Sequence, residues 1–263
     1  MALMAKEKKI GIRYYLNTQL NPQVLKGEDH FPVYVRVVYN RLNTQFFFPL
    51  LYKASYITAK EFQDFFVDRS NPEINKQIET FEDELKKIVR FEFKIKGDSF
   101  HIRGIADKLF VYHRSLVELI EKLLIVELRG FATKAAGNNK VQDLIHDAWH
   151  FPEMYYLIQN NLIPNLKENL PDKMKIRIAA FINYIAFRSQ SNTENFVKAI
   201  HWIDRSHQIE FKDFLLNQDL EQVFKGERKT SPSIRLFHEY KVKPNEAPKC
   251  LAVMDQMVVD AVR

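Results

Sequence analysis

Cysteine is almost missing from this chain of 263 residues. The single one, Cys250, excludes an internal disulfide and fits a reducing compartment. Glycine is scarce too: seven residues are too few for a glycine-rich phosphate cradle or a loop-dominated fold. No window approaches the roughly 18 uninterrupted apolar residues of a membrane span. The most apolar stretch, 116–128, is broken by Glu118, Glu121, Lys122 and Glu127. The opening MALMAKEKK has no apolar core behind its charges, so no secretory leader is expected. These absences predict a protein of the cytoplasm, or of the inside of something assembled there, with no membrane partner.

What is present suits a globular protein. Apolar residues make up 46% of the chain, enough for a real core, and 27% are charged, so disorder throughout is excluded. Phenylalanine is abundant, at 21. The net charge of +6 is unevenly placed. Residues 1–60 hold nine Lys/Arg against three Asp/Glu, while the remaining 30 of each sign cancel. A positive field confined to the first sixty residues attracts phosphate backbones without base specificity.

The pattern of apolar residues gives the elements. Residues 10–16 alternate as a first strand, with Ile10, Ile12, Tyr14 and Leu16 on one face. A polar loop with Asn21-Pro22 and Lys26-Gly27 follows. Residues 31–39 form the clearest strand, with Phe31, Val33, Val35, Val37 and Tyr39 on one face. The segment 40–43 has turn chemistry, and 44–51 returns as a third strand of a hairpin. Thr58 and Glu61 have the spacing of a capping box, and Asn71-Pro72 marks the next helix start. Ile74, Ile78, Phe81, Leu85, Ile88 and Val89 then recur at helical spacing, and 91–95 alternates as though fraying into an extended stretch. Beyond residue 105 the period is helical over about 107–129, 140–162, 172–189, 193–205 and 211–224. A basic stretch with Pro232, Pro244 and Pro248 leads to a short apolar segment, 251–262, that reads as a docking helix. The expected fold class is α+β: a small antiparallel three-stranded sheet with helices, a mainly α-helical body and an extended C-terminal tail. The expected divisions are 1–100, 101–224 and 225–263.

Phe31-Pro32-Val33-Tyr34-Val35-Arg36-Val37, the hairpin after it, and Ile57-Thr58-Ala59-Lys60-Glu61-Phe62 carry a resemblance. Together with the helix 71–89, they make the first hundred residues similar to a known family domain. It is the N-terminal arm-type DNA-binding domain of tyrosine recombinases from mobile elements of the Bacteroides group. The resemblance implies a sheet laid into the major groove of duplex DNA. By position it implies DNA contacts from Arg13, Tyr34, Arg36, Arg41, Asn43, Gln45 and Lys53. Arg36 would reach guanine or phosphate, and Asn43 or Gln45 a base edge. One departure is Phe46-Phe47-Phe48, which puts aromatics on both faces of the third strand. A helix or a second subunit over the outer face is therefore expected, which favours protein contact there.

Catalysis is not expected. A tyrosine recombinase needs a His-x-x-Arg element to stabilise charge at phosphorus, and none of the eight histidines has arginine at the third position. His146 and His150 share a helix face at the spacing of two zinc ligands, but Asp147 stands where a zincin has its glutamate base and no third ligand is evident. His201 and His207 read as packing or solvent-facing side chains, and Glu82 and Asp83 as a solvated helix face. Neither metal nor cofactor is expected. Two functions compete: a non-catalytic DNA-associated protein of a mobile element or phage, and a virion structural protein such as a ring or head-to-tail connector component. In the second, the aromatic sheet and the C-terminal segment would bind self or other subunits.

Overall fold

The computed structural model describes residues 9–49, 56–135, 143, 145–146, 150–151, 153, 155–156, 166–190, 197–217 and 237–263. The chain divides into two units, Met1–Phe110 and Val111–Arg263. The fold class is α+β, with the sheet in the first unit and a helical body in the second.

In the first unit, strand β3 (Glu28–Tyr39) is the spine of an antiparallel sheet of five strands. It pairs with β1 (Gly11–Leu16), β2 (Gln23–Leu25), β4 (Leu42–Phe47) and β5 (Tyr56–Ile57). The sequence announces three of these. The other two are only three and two residues long, too short for alternation to show. Both hairpins at β3 turn on two residues with positive φ: Lys26 (54°) and Gly27 (84°), then Asn40 (50°) and Arg41 (66°). That geometry matches the right-handed twist of the flanking strands, and it favours Asn and Gly because only they adopt it readily. Arginine in the last of these positions costs about 1 kcal/mol.

The inner face of the sheet is built from Val33, Val35 and Val37, all fully buried, with Tyr39 beside them. Each buried valine contributes about 1.5–3 kcal/mol. A capped helix α1 (Ala59–Phe62) runs on through a π-helical turn and brings Phe66 over Tyr14 and Phe48. The capping box is formed as expected: the Glu61 amide donates to Thr58 Oγ1, and the Thr58 amide donates to Glu61 Oε2. Helix α2 (Pro72–Lys96) starts at Asn71, whose side chain accepts from the Glu73 and Ile74 amides, and buries Ile78, Phe81, Leu85, Ile88 and Val89. It does not fray at 91–95. Glu92 is buried and pairs with Lys96 one turn on, at 2.6 Å, and Phe93 meets Tyr39 and Phe100 edge-on. The helix ends at Gly97, with φ of 52°.

In the second unit, α4 (Leu116–Ala135) follows α3 (Ile105–Tyr112), within which the two units divide. Then come α5 (Leu166–Asn169), α6 (Asp172–Gln190), α7 (Ala199–Ile203), α8 (Arg205–Leu216) and α9 (Ala247–Ala261). The closing apolar segment is a helix, as its pattern predicts, so the C-terminal tail is not extended over Ala247–Ala261. Met254, Met257 and Val258 of α9 are fully buried, and α9 packs on α4, α6 and α8. Its apolar side is covered within its own unit. Arg177 of α6, itself buried, donates to Glu127 of α4 and Asp260 of α9, tying three helices together. Tyr184, Trp202, His207 and Phe211 form a ring cluster in which Trp202 Nε1 donates to Asp255 at 2.8 Å.

Candidate nucleic-acid interface

Pairing register fixes which side chains share the outer face of the sheet. Since β1 and β4 flank β3, residues directly opposite one another form rows across the three strands. One row is Gly11, Val38 and Asn43; the next is Arg13, Arg36 and Gln45; the third is Tyr15, Tyr34 and Phe47. Arg13, Tyr34, Arg36, Asn43 and Gln45, predicted from sequence as DNA contacts, therefore lie together. Arg41 sits apart at the tip of the β3–β4 turn. Lys53 lies outside the described residues.

Of the two covers expected for the outer face, no helix lies over it among the described residues. Phe48 points inward and packs edge-on against Phe81 at 4.8 Å, and Phe46 is half-buried. Phe47 alone of the three faces outward, at 40% exposure. Arg13, Arg36, Asn43 and Gln45 are exposed as well. The two-residue period separates the aromatics cleanly, and the outer face keeps its polar centre open.

The electrostatics of the central row are unusual. Arg13 and Arg36 are directly opposite across two antiparallel strands, and like charges so placed destabilise a sheet by up to about 1 kcal/mol. Among the described residues neither guanidinium pairs with a carboxylate. Beside them the aromatic row is ordered: Tyr15 stacks on Tyr34 at 5.7 Å, Phe47 meets Tyr34 edge-on at 5.9 Å, and Tyr56 extends the row from β5. The Tyr15 hydroxyl donates to Gln45 Oε1 at 2.8 Å, leaving the Gln45 amide hydrogens on the exposed side of the row. Partial burial, with Tyr34 nearby, raises the Tyr15 hydroxyl above its usual value, and the Arg36 charge opposes this. Tyr15 therefore stays neutral and holds Gln45 in place.

Among the described residues of the second unit, the candidate side chains do not gather on one face. His146 and His150 are exposed; His150 lies 3.7 Å from Glu121, and the His146 carbonyl accepts from Arg129. Among the described residues no three His, Cys, Asp or Glu side chains converge as metal ligands. His207 is a core residue, 2.9 Å from the Tyr184 hydroxyl. Cys250 is buried, and burial pushes its thiol up to about 12, so it stays protonated at neutral pH. No helix among the described residues is long and apolar enough to cross a membrane.

Comparison with protein-family models, with curated proteins and with solved structures finds no match. Functional reasoning therefore rests on the chain's own residues. Two side chains near the interface were not foreseen from the sequence: His101 and Arg103 face the β3–β4 turn across a cleft. Their closeness to Arg41 comes from tertiary folding, and only the spacing of three basic or imidazole side chains around the α2 terminus hinted at it.

Proposed function

We propose that this chain is a non-catalytic DNA-associated protein that holds duplex DNA on the outer face of its N-terminal sheet. The observation that carries the reading is the opposed pair Arg13 and Arg36, with Gln45 in the same exposed row. Two guanidiniums facing one another, with no carboxylate partner among the described residues, are unfavourable in the free protein. A polyanion laid across the row relieves the repulsion and gains two charge-assisted contacts. Gln45 and Asn43 supply donors and acceptors suited to base edges in the major groove. The basic bias of the first sixty residues and the resemblance to recombinase arm domains point the same way.

The competing reading, a ring or connector component of a phage particle, loses one of its supports. The apolar C-terminal segment that would reach a neighbour is spent inside its own unit, on Met254, Met257 and Val258. Phe47 and Val38 remain as exposed apolar groups on the sheet, but they flank the arginine row rather than replace it.

Fluorescence anisotropy with a labelled duplex tests the proposal. Binding should weaken steeply with added salt, and Arg13→Ala with Arg36→Ala should cost about tenfold or more in affinity at low salt. Duplex binding indifferent to both changes would sink it.

A further inference from the structure

The sheet face does not end at the arginine row. Where β3 turns into β4, the hairpin tip meets the short 3-10 turn Ile102–Gly104, and the two enclose a surface cleft of about 440 Å3. Arg41, Leu42 and Asn43 line it from the hairpin; His101, Ile102 and Arg103 line it from the turn. We infer that this cleft is a second phosphate site, which holds a backbone phosphodiester of the same DNA beyond the edge of the sheet. The inference rests on the reading of the sheet as a DNA-binding face.

Three observations carry it. First, the lining is cationic and uncompensated. It contains two guanidiniums, an imidazole and a carboxamide but no carboxylate, and among the described residues neither Arg41 nor Arg103 makes an ion pair. The cleft in the second unit that holds Lys175 and Lys249 is different, since Glu239 and Glu246 line it too. Second, Arg41 occupies a left-handed conformation, φ 66°, at a turn position where glycine fits without strain. A bulky cation kept in a conformation that disfavours it points to a use for the side chain, because the turn itself gains nothing from arginine. Third, the cleft is continuous with the proposed interface. Asn43 lines the cleft and also belongs to the row beside Arg13, Arg36 and Gln45. A strand of DNA crossing that row therefore reaches Arg41 and Arg103 without leaving the protein surface.

The chemistry selects the ligand class. Planar guanidiniums on two sides of a cleft match the oxygens of a tetrahedral phosphate. A site of this kind positions the duplex without reading sequence.

The test uses the full chain with Arg41→Gly and Arg103→Gln together. Glycine preserves the positive φ, so a loss of binding cannot be laid to a broken turn, and the melting temperature checks this. Arg41→Lys, and Lys76→Gln on the exposed side of α2, serve as controls. Duplex affinity is measured across a salt series for two unrelated sequences. The double variant should bind both sequences about tenfold more weakly near 100 mM salt, with a log–log salt slope shallower by about one unit per lost phosphate contact. Arg41→Lys should retain most of the affinity, and Lys76→Gln all of it. Wild-type binding with an unchanged slope in the double variant overturns the cleft site but leaves the sheet reading standing. No wild-type binding at any salt overturns both. Inorganic phosphate, titrated by calorimetry, separates the remaining source. Saturable phosphate binding lost in the double variant, with the DNA slope unchanged, assigns the cleft to a free anion and overturns the DNA assignment.

Discussion

Arg177 in the helical unit is almost wholly buried between Glu127 and Asp260, while Arg36 in the sheet unit is exposed and faces a second arginine. The same side chain is used in opposite ways. Burying a guanidinium is costly unless oxygens on more than one side satisfy it, and Arg177 has them from two different helices. Its charge is consumed within the fold. Among the described residues Arg13 and Arg36 have no such partners, and the sheet holds them together against their repulsion. Their charge is available to something outside the chain. The contrast points to the charges that the described fold leaves uncompensated.

This contrast can be broken or sharpened by substitution. The largest effect should come from Arg177→Met, which leaves Glu127 and Asp260 without their shared partner. A loss of about 3 kcal/mol is expected in denaturant unfolding, at the low end for a broken buried pair because both carboxylates keep some contact with water. Neutralising both acids in the same chain should recover most of it. Unchanged stability would mean that the triad ties nothing together. A smaller effect of opposite sign is expected from Arg13→Glu. It replaces a repulsive cross-strand pair with an attractive one and should raise stability by about 1 kcal/mol while reducing duplex binding more than alanine does. If the variant were both less stable and fully competent to bind, the arginines of the sheet would be neither a repulsive pair nor a DNA contact.

The smallest effect concerns His207. Burial lowers its basicity below that of a free imidazole; Glu210 opposes the shift, while Arg188 and His201 reinforce it. Because the folded value lies below the unfolded one of about 6.5, the unfolded chain binds more protons as the pH falls. The contribution of His207 is therefore complete above about pH 6.5 and is lost progressively below it, levelling off beneath the folded value. His207→Gln should flatten the acid-side decline of the melting temperature, whereas Arg13→Glu should leave the contribution of His207 to that decline unchanged.

The parts of the fold that were legible in the sequence are those set by local rules. The alternation at Val33, Val35 and Val37 predicts a strand with one buried face, and Thr58, Glu61 and Asn71 announce helix starts that the structure contains. Other features depend on partners far along the chain. The alternation of Phe91, Phe93 and Ile95 looks like a strand until Glu92 finds Lys96 and Phe93 finds Tyr39. The apolar side of 251–262 was visible, but not that its target is α4, α6 and α8 of the same chain. At the candidate site, alternation put Tyr34 and Arg36 on one face of β3. Only the register could place Arg13 directly opposite Arg36, and only tertiary packing could bring Arg103 to Arg41.

The central position of β3 also governs the order in which the first unit can assemble. Every other strand of the sheet hydrogen-bonds to β3, and β1 and β2 do not pair with each other. A chain emerging from the ribosome therefore exposes two strands that must wait, with nothing to zip onto, until residues 28–39 have cleared the exit. The turns at Lys26-Gly27 and Asn40-Arg41 then close neighbouring hairpins on a microsecond scale, and β1 is captured across a longer loop. Until that capture, Tyr14 and the valines of β3 are open to solvent, which makes the interval between synthesis of β1 and its capture by β3 the moment when this unit is most exposed to aggregation or to chaperones.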